Sequence, residues 1–178
     1  AGYTDDYFPN NYAYIRKAWL VYENIDKVAD MSDRDKAIVK AEMQVLVAFR
    51  YVEMLKRYGG VPLVESTLTV QQTLDFIVGL CDAAAATLEG VRWPADWLGR
   101  VNKGVALAVK AEALMYAARP LFNADAPYMQ MADPANNEMI WLGGYDAKRW
   151  ETARLANQEV IDWGKANGFE LIDTGDPI

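Results

Sequence analysis

The chain has 178 residues, a formal net charge of −7 and a sequence pI of about 4.6. A surface of this sign repels phosphate backbones, so we expect no nucleic-acid partner. Apolar residues make up 52% of the chain and aromatic residues 12%, and this composition excludes a disordered protein.

Helical periodicity recurs in five segments, taken here in chain order. Apolar stripes predict helices over residues 11–29, 33–58, 70–88, 102–118 and 147–166. Pro62 forbids continuation of the second helix, and no stretch shows the sustained alternation of a half-buried strand. Residues 61–69 are extended by their proline but short. The pattern predicts an all-α fold of antiparallel helical hairpins in a tetratricopeptide-like array, with long loops.

The rare residue types limit the chemistry of the chain. One Cys and no His leave neither an internal disulfide nor a Cys/His metal site. The absence of His also excludes Ser/His and Cys/His nucleophiles, and Cys81 lies in an apolar helical stripe where a buried, inert thiol is expected. We therefore predict no catalytic residue, no cofactor and no metal. No window approaches ~18 uninterrupted apolar residues, so no membrane-spanning segment is expected.

The connection at residues 89–101 (EGVRWPADWLGRV) has the residue types that bind sugars. Aromatic rings accept the apolar faces of sugars, while carboxylate and guanidinium groups hydrogen-bond to the hydroxyls. Trp93 and Trp97 flank Asp96 and Arg100 in this short loop, so these four residues are candidate ligand contacts. The alternative is that the two Trp rings close the end of a helical hairpin.

The connection at residues 120–146 is about 27 residues long. Loops longer than ~15 residues in compact domains are usually functional or disordered. Tyr128, Trp141 and Tyr145 argue against disorder and are further candidate ligand contacts, although packing explains Trp141 and Tyr145 equally well. The tryptophans at positions 19, 150 and 163 lie on predicted helices and are interpreted as packing residues.

Residues 41–64 (AEMQVLVAFRYVEMLKRYGGVPLV) resemble a pattern of the SusD/RagB family, in which an acidic-start helix ends in a Tyr-Gly-Gly-Val-Pro-Leu-Val turn. Residues 100–123 resemble a second family block, an Ala-rich helix followed by Pro and Asn. Residues 150–161 resemble a third, with Trp, Ala and Val-Ile. The three blocks occur in the family's order, and the resemblance covers roughly residues 11–172. We predict a structural role, and no ligand contact, for six residues of these blocks: Glu42, Arg50, Gly59, Gly60, Pro62 and Glu112.

The chain departs from the family pattern at two positions. The central Arg of the second helix is replaced by Val47, and the usual Arg of the fourth helix by Glu112. Both changes concern charges that we expect to be partly buried. Our hypothesis is that Arg50, one turn beyond Val47, pairs with Glu112.

The resemblance implies a function. Family members are non-enzymatic lipoproteins on the cell surface, in the outer membrane of Bacteroidota. They capture oligosaccharides, or peptides in some branches, for a TonB-dependent transporter of the SusC type. They are longer than this chain, so residues 1–178 are expected to be a single SusD-like helical domain from a longer protein, with the lipid anchor upstream.

Two other functions stay open at this point. A tetratricopeptide-like interaction scaffold predicts a concave groove lined by helix faces and no aromatic loop. A glycosidase requires two carboxyl groups facing each other ~5–9.5 Å apart in a cleft. Exposed and coplanar rings at Trp93 and Trp97 favour sugar binding, whereas buried rings favour the scaffold.

Overall fold

The computed structural model describes residues 7–63 and 66–170. Residues 1–6 and 171–178 lie outside the described residues, as does Val64 of the family pattern. The α-helices are α1 (Tyr7–Asn24), α2 (Asp33–Tyr58), α3 (Val70–Thr87), α4 (Lys103–Ala118) and α5 (Ala147–Ala166). Three short 3-10 helices cover Ile25–Lys27, Ala95–Trp97 and Pro134–Met139, and the strands are β1 (Pro62–Leu63) and β2 (Ser66–Thr67).

The five predicted helices are confirmed, and only α1 has bounds that differ from the prediction by more than one residue. Helices α2 and α5 have the predicted limits, and α3 and α4 differ from them by one residue. Helix α1 instead includes residues 7–10 and ends at Asn24, five residues before the predicted end. Pro9 lies in its first turn, where the missing N–H leaves no hydrogen bond unmade. At the other end, Val28 N–H donates to Ile25 O at 3.1 Å, so the chain tightens into a 3-10 turn.

Helix α2 is the centre of the array. Each α-helix packs against the next in the chain, and α2 also contacts α4. Helix α2 therefore buries more than one side, which explains the broad apolar stripe in its sequence. Val45, Val47 and Met54 are all fully enclosed. Val47 thus makes an apolar contact at the position where the family pattern has an Arg.

The Gly-Gly turn ends α2 against two other backbone segments. Gly59 has a φ of +77°, a conformation that L side chains rarely adopt. A Cβ at Gly59 would overlap the carbonyl of Met139, and one at Gly60 would overlap the carbonyl of Leu68. The Gly60 N–H donates to Met139 O at 2.6 Å. Gly59 is therefore required by a close backbone contact with the long 120–146 loop, and Gly60 by a close contact with the backbone just before α3.

The segment after this turn forms a small antiparallel pair that the sequence did not indicate. Strands β1 and β2 pair in the register Pro62↔Thr67 and Leu63↔Ser66. Two residues are too few for a visible alternation of apolar and polar side chains. The Tyr12 hydroxyl donates to Pro62 O at 2.6 Å, so this hairpin is attached to α1.

Small residues allow α5 to approach α4 closely. Gly104 is buried, and a Cβ there would overlap the Trp163 ring of α5. Asn102 caps α4, because its side-chain oxygen accepts from the Val105 N–H at 3.1 Å. In the neighbouring α3, Cys81 is buried as predicted, and burial raises the pKa of its thiol to about 12.

Candidate functional site

The loop between α3 and α4 brings the first four candidate residues to one place. Pro94 precedes the 3-10 helix, and the Trp97 N–H donates to Pro94 O at 2.8 Å. The Arg100 N–H donates to Trp97 O at 3.0 Å, which turns the chain back on itself. Asp96, Trp97 and Arg100 line one shallow depression. Trp93, Trp97 and Arg100 line a second one beside it.

Arg100 holds this loop against α2. Its Nε–H donates to Glu42 Oε1 at 2.9 Å, and its Nη2 pairs with Glu42 Oε2. Glu42 is only 6% exposed, so the pair is partly withdrawn from water. The Glu42 carboxylate raises the pKa of the Arg100 guanidinium. Arg100 therefore stays charged, but Glu42 compensates its charge and two of its N–H groups are already bonded.

The two Trp rings flank this guanidinium in different ways. The centre of the Arg100 guanidinium lies 3.8 Å from the Trp93 ring centroid and 4.9 Å from that of Trp97. Trp93 is half-buried, and its indole N–H donates to Val101 O at 2.8 Å. Trp97 is 52% exposed. The rings are 6.1 Å apart and inclined by 41°, so they are not coplanar. Of these two rings, that of Trp97 is the one exposed enough to contact a ligand.

A depression of about 370 Å³ lies beside Trp97. Its volume falls within the range of small-molecule sites, roughly 300–1,000 Å³. Asp30 and Asp35 also line this depression and supply two exposed carboxylates. The remaining lining comes from apolar side chains and the aromatic loop: Met31, Ile38, Val39, Trp93 and Arg100. The sequence did not indicate the contributions of residues 30–39, because this segment lies about sixty residues before the aromatic loop in the chain.

The long 120–146 loop contains the other three candidate residues. Trp141 is half-buried, and its indole N–H donates to Ala124 O at 2.7 Å, so it supports the loop. Tyr128 and Tyr145 are exposed. Neither tyrosine lines the depression beside Trp97. Their assignment as ligand contacts therefore stays a prediction.

Two polar residues that sequence reasoning missed hold this loop in place. The Arg149 guanidinium donates to Leu142 O at 2.9 Å and to Gly144 O at 2.5 Å. It also donates to the side-chain oxygen of Asn123 at 2.8 Å, and Asn123 is buried. The available signal was an Asn three residues after the proline that follows α4, with an Arg in the first turn of the next helix.

The Arg50–Glu112 hypothesis is wrong. Glu112 instead pairs with Lys56, whose Nζ donates to Glu112 Oε1 at 2.7 Å. Arg50 lies over the ring of Tyr14, 4.4 Å from its centroid, and also near Phe49. The side chains of Arg50 on α2 and Glu112 on α4 are both at least partly exposed. Neither charge therefore replaces the family's central Arg inside the core.

Lys56 belongs to a network of charges at the end of α2. It also pairs with Glu53, to which Arg57 and the Tyr7 hydroxyl donate at 2.9 Å each. Partial burial would raise the pKa of Glu53, but the hydrogen bonds from Lys56, Arg57 and Tyr7 outweigh it and lower this pKa to about 2. Glu53 is therefore ionised over the physiological pH range.

A groove of about 610 Å³ lies where α2, α4 and α5 meet, and it is larger than the depression beside Trp97. Trp150 lies on its wall and is 40% exposed, so its interpretation as a packing residue is wrong. The α5 stripe concealed this, since Ala153 and Ala156 make the buried contacts and Trp150 lies at its edge. A groove of this kind is what the scaffold alternative predicts.

In residues 7–63 and 66–170, no group of three or more His, Cys, Asp or Glu side chains could hold a metal ion. None of the helices in these ranges combines the length and apolar character needed to cross a membrane.

Comparisons with known proteins identify structural relatives. No protein-family model and no curated protein matches the chain. The structure of BT4246 matches with a TM-score of 0.76 over 90% of this chain and 30% of that chain, at 29% identity. A selenomethionine BT4246 structure matches with a TM-score of 0.72 over 89% of this chain and 28% of that one, at 31% identity. A SusD-like protein (BF3747) from Bacteroides fragilis matches with a TM-score of 0.65 over 95% and 28%, at 22% identity.

The chain thus spans less than a third of the length of these structures. The BF3747 likeness shows the fold alone at its level of identity, whereas BT4246 combines a closer fold with higher identity. The matches extend over about nine tenths of the chain.

Proposed function

Because the chain is SusD-like, as its sequence predicted, we propose that it belongs to a non-catalytic cell-surface protein that captures oligosaccharides. In this proposal the protein passes them to a TonB-dependent, SusC-like transporter in the outer membrane. The single observation that supports capture by this chain is the exposed Trp97 indole beside a ligand-sized depression.

Trp97 is held in place before any ligand arrives. Pro94 and the 3-10 turn fix its backbone, and the Arg100 guanidinium lies against its ring. Arg100 is itself fixed by Glu42 on the central helix. Little side-chain freedom is then lost on binding, which lowers the entropic cost of association. A rigid indole with a free face suits the apolar face of a pyranose ring.

Two carboxylates that line the depression suit the hydroxyl groups of the same sugar. Asp30 and Asp35 are exposed, and each carboxylate accepts hydrogen bonds from hydroxyls. Hydrogen bonds to charged acceptors are stronger than neutral ones. The lining of this depression therefore combines an aromatic ring with hydrogen-bond acceptors, the two kinds of contact that a sugar ring requires.

The residue types of the chain support binding without catalysis. The sequence has no His, and Cys81 is buried with a raised pKa. Glu53, whose pKa is lowered to about 2, has its oxygens bonded to Lys56, Arg57 and Tyr7. A carboxylate held ionised in this way cannot act as the general acid of a glycosidase.

Isothermal titration of the 178-residue chain with a panel of neutral oligosaccharides tests this proposal. We expect binding that Trp97→Ala weakens about tenfold, because an indole stacked on the ligand contributes roughly 1–1.5 kcal/mol. Leu98→Ala is the matched control, since Leu98 is the next residue of the loop, is exposed and does not line the depression. Mass spectrometry of the recovered oligosaccharides should show no cleavage.

Three results would contradict the proposal. They are the absence of heat with every oligosaccharide, equal affinity in wild type and Trp97→Ala, and cleavage of the bound sugar. The transporter part needs its own test, which is copurification of the full-length protein with a SusC-like transporter from the native outer membrane. Recovery of the protein without such a transporter would reject that part alone.

A further inference from the structure

We infer that the groove between α2, α4 and α5 is a second binding site, which takes a peptide segment with an acidic side chain between apolar ones. This site is separate from the depression beside Trp97 and does not depend on glycan capture. The groove is lined by Lys56, Ala108, Ala111, Glu112, Met115, Tyr116, Arg119, Trp150, Asn157 and Val160.

The shape and apolar lining of the groove suit aliphatic side chains. Its volume of about 610 Å³ is within the range of ligand sites, and Ala108 and Ala111 keep its floor low. Met115 is 38% exposed and Trp150 40% exposed, although both are large apolar side chains. A thioether and an indole adapt readily to aliphatic groups of different shape. These walls therefore offer apolar surface to Leu or Ala side chains of a peptide.

Arg119 gives the groove an uncompensated positive charge. Its guanidinium lies over the Tyr116 ring, 4.9 Å from the centroid. In residues 7–63 and 66–170, no carboxylate lies within ion-pair distance of Arg119. Lys56, the other cation of the groove, is already shared by Glu53 and Glu112. A ligand carboxylate would complete the pairing of Arg119 in the bidentate geometry that Arg favours.

The polar groups of the groove favour a peptide over a sugar. The Asn157 side-chain N–H donates to Ala153 O at 2.8 Å, and the Tyr116 hydroxyl donates to Lys56 O at 3.1 Å. These donors are therefore engaged within the protein. A sugar needs several free partners for its hydroxyls, whereas an acidic residue between aliphatic ones needs one cation and apolar walls.

Nuclear magnetic resonance of the 15N-labelled chain tests this inference. The probe is the acetylated and amidated peptide Ala-Leu-Glu-Leu-Ala, and its matched control has Gln in place of Glu. The chain contains 6 Trp residues, and Trp150→Phe identifies the indole N–H resonance of Trp150. We expect the Glu peptide to shift this resonance and to bind about fivefold more tightly than the Gln peptide, as for a partly exposed ion pair of roughly 1 kcal/mol.

Variants assign the effect to the groove. Arg119→Gln should remove the difference between the two peptides. Arg154→Gln should preserve it, because Arg154 lies on α5, is exposed and pairs with Glu151 at 2.8 Å. Trp97→Ala should leave the peptide titration unchanged while it weakens glycan binding. The two proposals can therefore fail independently.

The inference is overturned if the Glu and Gln peptides bind alike, or if Arg119→Gln retains their difference. It is also overturned if neither peptide shifts the Trp150 resonance up to the solubility limit. Sedimentation equilibrium provides the remaining check. A dimer that dissociates in Arg119→Gln would show that a second copy of the chain fills the groove, and the peptide assignment would then be wrong.

Discussion

Replacement of Arg100 by Met should lower the free energy of unfolding by about 3 kcal/mol. Glu42 is 6% exposed. The Arg100 guanidinium donates one hydrogen bond to each oxygen of the Glu42 carboxylate. Removal of one partner from a buried pair costs about 3–5 kcal/mol, because the other charge stays buried without compensation. The lower limit applies here because the Arg100 side chain is 30% exposed, so water already screens part of the pair.

Replacement of the other partner, Glu42, should lower the free energy of unfolding by less. Glu42→Gln leaves the guanidinium of Arg100 partly in water and still against the Trp93 ring. We expect a loss of about 1–2 kcal/mol, between the values for exposed and buried pairs. The double variant should lose less than the sum of the two single variants, since each single change leaves one unpaired group that the double variant lacks.

Urea unfolding followed by circular dichroism measures all three variants. For a domain of this size the Arg100→Met loss corresponds to a fall in Tm of about 6–12 °C. Lys103→Met is the control, because it breaks the neighbouring Lys103–Glu89 pair, in which Glu89 is exposed, and should give no measurable change. A loss below about 1 kcal/mol in Arg100→Met, or strict additivity in the cycle, would refute the reasoning.

Three further predictions concern other parts of the fold. Gly104→Ala should destabilise by about 1–2 kcal/mol in urea unfolding, because overlap with the Trp163 ring outweighs the gain in helix propensity; a more stable variant would contradict this. The pKa of Glu53 is lowered from 4.5 to about 2, so its stabilisation, at most about 3 kcal/mol, is complete above pH 4.5 and is lost as the pH falls towards 2. Glu53→Gln should flatten the pH dependence of unfolding in that window, and an unchanged slope would reject the charge network. Cys81 should react with a thiol reagent at mildly alkaline pH only after denaturation, because burial raises its pKa to about 12; rapid labelling of the native chain would show that it is accessible.

Most of the fold could be predicted from the sequence, because the helices have local signals. Ser32 and Thr69 cap their helices, because the side-chain oxygen of each accepts a hydrogen bond from the N–H group three residues later. The Gly59-Gly60 turn and Pro62 mark the end of α2 equally clearly. The SusD-like resemblance was confirmed for the same reason, since its motifs consist of these local signals.

The candidate site could be predicted only in part, because its partners are distant in the sequence. The residue types of the 89–101 loop indicated Trp97 and Arg100 as candidate ligand contacts. They did not indicate that Arg100 pairs with Glu42, 58 residues away. The choice of Arg50 as the partner of Glu112 failed because helical spacing does not show which side of α2 faces α4. Lys56, two turns later on α2, is the residue that reaches Glu112.

The two proposed sites share one rigid support, and this explains why they can act independently. Glu42 anchors the Trp97 loop, and Lys56 lines the groove, so both sites are attached to α2. These residues are fourteen positions apart on one continuous helix, which places them about 21 Å apart along its axis. Val47 and Met54 lie between them and are fully buried. A close-packed segment of this kind resists local deformation, so occupation of one site should leave the affinity of the other unchanged.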